Sequence, residues 1–203
     1  MITVPSPSVV FNDCRAPSAF SMDITEKVDR ATSMAEPVRR IVFRSENVQD
    51  QKIKNLILMG HGLPGHLAIG AGLNLLTLDP FRGVRGKVEK IWFAGCLVAR
   101  IVGPHTASHG DGAALAAFGI NQGDGHTFVS AFASLTGCYV VAPTEMQSNT
   151  TPASRVYPRG RIPSYEGLVL CYNPRGSISW QRRYPSLFAF DIQARTAQTP
   201  NGE

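Results

Sequence analysis

Residues 54–62, Lys-Asn-Leu-Ile-Leu-Met-Gly-His-Gly, and residues 88–96, Val-Glu-Lys-Ile-Trp-Phe-Ala-Gly-Cys, decide how this chain is read. Each is a short apolar run that stops at glycine, the pattern of a strand buried in a parallel sheet. Each run then presents one reactive side chain, His61 in the first and Cys96 in the second. In open α/β sheets, ligands and chemistry gather just beyond the carboxyl ends of the strands. Two such ends facing one crevice would bring an imidazole and a thiol together. A neutral thiol is a poor nucleophile, and a nearby imidazole helps by taking its proton and later returning one to a leaving amine. Gly62 and Gly95 permit close backbone approach to a ligand. The backbone N–H groups of Gly62 and Cys96 are then candidates for an oxyanion hole.

Outward from this pair, the chain alternates strand and helix signals, as an α/β fold does. Ser8 to Asn12 reads as a first strand. Asp23 resembles an N-cap with Glu26 three residues on, and Ile24, Val28, Ala31 and Ala35 share one helical face that Pro37 ends. Arg40 to Arg44 reads as a short strand. After His61, glycines alternate with aliphatics through residue 73, a small hairpin with its turn at Pro64-Gly65. Asp79-Pro80 opens a helical or irregular link into the Cys96 strand. Residues 101–125 form a Gly/Ala/His-rich insertion with a helix-like Ala113 to Phe118, either a lid or surface decoration. Residues 125–135 are amphipathic, with Phe128, Ala131, Phe132 and Leu135 inward and Gly137 closing the helix. Cys138 to Ala142 is the next buried strand. Gly167 to Tyr172 and Ser177 to Gln181, joined by Asn173-Pro-Arg-Gly, form a hairpin. A single domain over 1–203 is expected, with residues 1–8 an extended arm and both 1–8 and 192–203 flexible.

Composition narrows the function classes. The chain has 203 residues, 43% hydrophobic and only 17% charged, enough for one sizeable core. Its 20 Lys+Arg against 15 Asp+Glu are spread without a basic run, so no nucleic-acid partner is expected. No apolar run reaches the roughly 18 to 20 residues that span a bilayer. Residues 1–7 lack the charged and apolar regions of a signal peptide. The expectation is a cytoplasmic protein without a membrane partner, a non-classical secretion route being left open. The cysteines Cys14, Cys96, Cys138 and Cys171 are too dispersed for a zinc knuckle or a redox pair, and the last two lie in apolar runs. His105 and His109 have a ligand-like spacing, but Gly103, Pro104 and Gly110 oppose a helix there and no third ligand is evident. Gly70-Ala-Gly72 lacks the third glycine and the helix of a dinucleotide site. No metal and no cofactor is expected.

With these motifs in order, the chain resembles the caspase-like cysteine peptidases of clan CD, which include caspases, legumain, gingipains, separase and the self-processing domains of large bacterial toxins. Within that group it is similar to an uncharacterised bacterial caspase-like domain of very large surface and adhesin proteins. The pattern there is a strand, Ser-His-Gly, a Gly-rich hairpin, Tyr-Gly-Cys and a later Leu-Thr-Gly. The corresponding residues here are Gly60-His61-Gly62, Pro64-Gly65-His66-Leu67, Ala94-Gly95-Cys96 and Leu135-Thr136-Gly137, covering roughly residues 53–145. The resemblance implies a three-layer caspase-like fold, a mostly parallel sheet flanked by helices, here with a C-terminal β-hairpin. It implies His61 as general acid/base and Cys96 as nucleophile of a cysteine endopeptidase acting on a peptide or protein, with self-processing as one use. A catalytically silent caspase-like domain, serving as a binding or effector module, is the alternative. The insertion from Ala99 to Gln122 is long for the group, and the caspase sequence Gln-Ala-Cys-Arg/Gln-Gly is absent. Aspartate specificity is therefore not carried over.

Specificity is read from strand order. If the Cys138 strand lies beside the Cys96 strand, its exit at Pro143-Thr144-Glu145 reaches the same crevice. Glu145 is then a candidate substrate-binding carboxylate, with Asp124 behind it and Asp79 a more distant option. That reading expects Arg or Lys before the scissile bond; the alternatives are Arg100, Arg155 or an apolar pocket.

Overall fold

The computed structural model describes residues 1–47, 52–103, 115–116, 119–147 and 157–185. Its strands begin with β1 (Ile2–Thr3), β2 (Ser8–Asp13), β3 (Ile24–Val28) and β4 (Ile53–Met59). A small meander follows, made of β5 (His61–Leu63), β6 (His66–Ala68) and β7 (Leu73–Asn74). Then come β8 (Val88–Ala94), β9 (Ile101–Val102), β10 (Gly123–Asp124), β11 (Tyr139–Pro143), β12 (Arg161–Ile162), β13 (Gly167–Tyr172) and β14 (Ile178–Tyr184). The longer helices are α1 (Ala35–Ser45) and α2 (Gly125–Thr136). No helix among the described residues is long and apolar enough to cross a membrane.

The fold is α/β, built on a seven-stranded mixed sheet in the order β14-β13-β11-β8-β4-β2-β3. β3, β2, β4, β8 and β11 run parallel, and the β13–β14 hairpin completes one edge antiparallel. β4 explains its own place: it is buried at every position except Lys54, as a strand covered on both faces must be. On one face, Leu56, Leu58 and Phe93 pack with Val38 and Ile41 of α1, Phe81 of the 3-10 turn Asp79–Val84, and Phe128 and Phe132 of α2. Phe132 is the hinge of that layer, its ring 5.0 Å from Phe81 and 5.1 Å from Phe93. Each such side chain contributes about 1.5–3 kcal/mol by leaving water. The opposite face, with Val10, Ile57 and Met59, is covered by Val4, Phe20, Met22, Tyr157 and Ile162. Apart from the short pairing strand β12, those covering residues come from irregular segments. The helical cover expected on both faces is therefore seen on one face among the described residues.

Two early elements exchange identities relative to the sequence reading. Ile24 to Val28 is a strand, with alternating burial and β-branched Ile24, Thr25 and Val28 suited to a sheet edge. Asp23 caps no helix; its carboxylate accepts from the N–H and the hydroxyl of Ser8, both at 2.9 Å. The helix begins instead at Ala35 and contains the segment read as a strand, Arg40 to Arg44. Pro37 lies in its first turn, where a missing N–H costs nothing, and so marks a start where it was read as a stop. Residues 1–8, expected as a flexible extended arm, include a bend at Ser6-Pro7 and are docked, β1 pairing with β12 and Val4 buried. At α2 the helix starts and ends as read, with Gly137 in the left-handed conformation at φ 65°. Residues 105, 109 and most of the 101–125 insertion, Arg155, and the tail from 186 lie outside the described residues.

Candidate active site

The site follows from strand register. Between β4 and β8, residue 53 faces 88 and residue 59 faces 94, a constant offset of 35. The same offset separates 61 from 96, so His61 and Cys96 leave adjacent central strands at one level. Gly60 and Gly95 make that exit possible. The Gly60 N–H donates to Ala94 O at 3.4 Å, and a methyl on Gly95 would lie 2.8 Å from Gly60 O. A methyl on Gly62 would lie 2.0 Å from Cys96 O and 2.7 Å from Cys96 N. These glycines let the two exits approach each other, rather than a ligand.

His61 and Cys96 line one solvent-open cleft. Gly62 is buried behind the turn and is not among the residues lining that cleft, whereas Gly60, Gly95 and Cys96 are. Of the expected oxyanion pair, Cys96 thus reaches the cleft and Gly62 acts as a spacer. The backbone leaves Cys96 through Leu97, a non-glycine residue at φ 60° whose left-handed conformation costs about 1–2 kcal/mol. That conformation is held by three bonds: Leu97 N–H to Glu145 O at 3.2 Å, Ala99 N–H to Pro143 O at 2.9 Å, and Arg100 N–H to Leu97 O at 2.8 Å. Strain of this kind persists where the surroundings over-determine it, and it collects at functional sites.

The sulfur and the imidazole each have a defined support. The Gln147 backbone N–H donates to Cys96 Sγ at 3.4 Å, and the thiol approaches Gln147 O at 3.7 Å. Gln147 therefore offers the sulfur both a donor and an acceptor. Gln147 is itself tied in place, its Nε2 donating to Glu145 O at 2.8 Å and Glu166 O at 3.0 Å while its Oε1 accepts from Glu166 N–H at 2.9 Å. His61 Nε2 lies 3.0 Å from Arg15 O. A carbonyl can only accept, so Nε2 carries the proton and Nδ1 is the nitrogen left to exchange one.

Arg15 is in turn fixed by Asp13, at the end of β2 next to β4. Asp13 is 2% exposed and accepts four bonds: from Arg15 N–H at 2.9 Å, Arg15 Nε at 2.7 Å, Arg15 Nη2 at 2.7 Å and Gly70 N–H at 2.8 Å. Arg15 Nη2 also donates to Gly70 O at 2.8 Å, joining the loop to the β5–β7 meander. Burial alone would raise the Asp13 carboxyl, but the bonds from Arg15 and Gly70 prevail and hold it below the ordinary carboxylate range. His66 on the meander is held below the ordinary histidine range by burial and then by the Arg15 charge. This network was invisible to the sequence reading, because Asp13 and Gly70 are 57 residues apart.

The expected pocket carboxylates lie elsewhere. Glu145 leaves β11 at the level of Cys96, as strand order implied, but its side chain is 1% exposed and does not line the cleft. Its Oε1 accepts from Arg183 Nη1 at 2.6 Å and Leu168 N–H at 2.9 Å. Asp124 is the N-cap of α2, accepting from Thr127 N–H at 2.8 Å and Thr127 Oγ1 at 2.6 Å, and these bonds lower its pKa. Asp79 is exposed at the 3-10 turn, 3.8 Å from Arg82. Cys138 and Cys171 are poor competitors for Cys96, burial pushing both up to about 11, whereas Cys14 is exposed. Among the described residues, no three His, Cys, Asp or Glu side chains gather as a metal site would require.

No family model, curated protein or solved structure matches the chain. The geometry therefore carries the functional argument without support from relatives. What it offers chemically is a partly exposed thiol with a backbone donor on its sulfur, and a histidine of fixed tautomer on the adjacent strand. Both open into one apolar cleft.

Proposed function

We propose that the protein is a cysteine endopeptidase of caspase-like type, with a Cys96/His61 dyad acting on peptide or protein substrates. The observation that supports this most is the shared register level of the two residues on adjacent central strands, opening into one cleft. In the proposed reaction, His61 Nδ1 takes the thiol proton and the Cys96 sulfur attacks the scissile carbonyl carbon, forming a C–S bond. The developing oxyanion is met by the Cys96 N–H at the strand exit. His61 then gives its proton to the amide nitrogen, the C–N bond breaks, and the amine departs. Water attacks the remaining thioester, losing a proton to His61; the C–S bond breaks and the acid is released. Arg15 O holds the ring in the required tautomer throughout, and as an acceptor it also stabilises the imidazolium. The five parallel strands with chemistry at their carboxyl ends suit the caspase-like assignment, as does the Gly-rich meander after His61.

The deciding experiment pairs turnover with thiol labelling. Cys96→Ala should abolish peptide cleavage while leaving the melting temperature within about 2 °C of the parent. His61→Ala should fall nearly as far, and the double variant no further, because the two act as a unit. An electrophilic probe should label Cys96 well ahead of Cys14, Cys138 and Cys171. Turnover retained in Cys96→Ala would overturn the assignment. Uniform slow labelling would make the protein a silent caspase-like domain used for binding.

A further inference from the structure

Side chains beside Cys96 give the cleft a definite chemical character. It is lined by Met59 and Ala94, the last residues of β4 and β8, together with Phe20, Ile162, Pro163 and Tyr165. Phe20, Met59, Ile162 and Tyr165 are buried, so their cleft-facing surfaces belong to the packed core and not to mobile tips. The walls are also fixed. Asn12 clasps Phe20 through two reciprocal bonds of 2.9 Å, and Tyr165 donates its hydroxyl to Phe93 O at 3.0 Å while stacking on Trp92. Gln147 and Glu166, which also line the cleft, exchange two further bonds. Among the described residues, no Lys or Arg lines this cleft, and Glu166 is its one carboxylate.

Taking the peptidase reading as its basis, we infer that this pocket selects an uncharged, apolar side chain on the residue whose carbonyl Cys96 attacks. An acidic side chain would enter an apolar pocket without a cation and with Glu166 nearby, and an uncompensated buried charge is costly. A basic side chain would lose its hydration among Phe20, Met59 and Ile162. Glu145, the carboxylate first considered for it, is committed to Arg183 and Leu168 outside the cleft. The pocket's selectivity is therefore hydrophobic, not electrostatic.

Two readouts test this independently of each other. In the first, fluorogenic peptides varied only at the residue before the scissile bond are given to the full chain. Met, Leu or Phe should exceed Asp by at least about a hundredfold in kcat/KM, and Arg or Lys by at least about tenfold. In the second, product-like peptides ending in Phe, Met, Asp or Arg are titrated onto the Cys96→Ala protein, so that binding is measured without chemistry. The Phe and Met peptides should bind at least about tenfold more tightly than the Asp peptide. Ile162→Trp, which adds bulk to the lining, should weaken the Phe and Met peptides relative to an Ala peptide added to the same series. Cleavage with a preference for Asp, Arg or Lys would overturn the inference and leave the peptidase reading standing. Binding of apolar-ended peptides with no cleavage of any peptide would overturn the peptidase reading and keep the pocket. Equal binding of all four peptides would overturn the pocket whatever the activity.

Discussion

The two strands that flank the His61/Cys96 pair end in the same device, used to different degrees. β2, beside β4, ends at Asp13; β11, beside β8, leads to Glu145. Each carboxylate is buried, each binds one arginine, and each accepts a backbone N–H from a distant segment. Asp13 accepts four bonds, and the arginine it holds presents its carbonyl to His61. Glu145 accepts two on Oε1, while Oε2 has no partner among the described residues. Its backbone carbonyl holds Leu97 and Gln147 in place. The difference teaches that support for the imidazole runs through a side chain and support for the thiol through main chain. Substitution should therefore disturb the two sides unequally.

The largest effect is expected at Asp13. Asp13→Asn removes the charge that clamps Arg15 and turns an amide donor toward donors, so stability should fall by about 2–3 kcal/mol, read as a lower urea midpoint at unchanged slope. With Arg15 O no longer fixed, kcat should fall at least about tenfold with a smaller change in KM. A loss confined to stability would make the clamp purely structural.

The pH dependence of that difference sharpens the assignment. The folded-state pKa of Asp13 is depressed, against an unfolded value of about 3.9. Its stabilisation is therefore present above the unfolded value and lost as pH falls through the lower folded one. The gap between parent and Asp13→Asn should stay constant from neutral pH to about pH 5 and narrow below about pH 4. A gap that widens in acid would refute the charge-based account.

On the other flank the effects should be smaller. Glu145→Gln keeps an acceptor for the Leu168 N–H and frees Arg183, whose side chain is 35% exposed and can turn to water. A loss of about 1 kcal/mol is expected, with the substrate profile unchanged. A shift in preference away from basic residues would restore Glu145 to the pocket. Of similar size in stability, Asp124→Ala should cost about 1 kcal/mol through the lost α2 cap and leave kcat/KM within about twofold.

What could be read from sequence followed the reach of each interaction. The central strands were legible because β4 and β8 are nearly continuous apolar runs bounded by glycine, a signal carried within nine residues on either side. The exits of His61 and Cys96 followed from those boundaries. The β3/α1 exchange was not legible, since Ile24, Val28, Ala31 and Ala35 fit a helical face by coincidence while Pro37 suits either a stop or a first turn. Strand order puts Glu145 at the level of Cys96, but the partner that holds its side chain outside the cleft, Arg183, is 38 residues further along and leaves no local signal. Gln147 was missed for a similar reason: its link to Glu166 spans 19 residues and no local pattern announces it. Strand periodicity is a near-neighbour property, whereas the orientation of a buried polar side chain is set by whatever the fold brings opposite.

The offset of 35 belongs to the pairing of β4 with β8, not to the length of chain between them. That chain makes a separate meander and an outward loop in which Leu76 is 94% exposed. Residues added at Leu76 would lengthen the count from His61 to Cys96 and leave the two side chains where they are. One residue added inside β8 would keep the count close and carry Cys96 to the other face of the sheet. A pattern search keyed to the gap would accept the ruined variant and discard the intact one. The trait by which such sites can be traced is phase along two neighbouring strands, a property of alignment between ribbons that no linear ruler records.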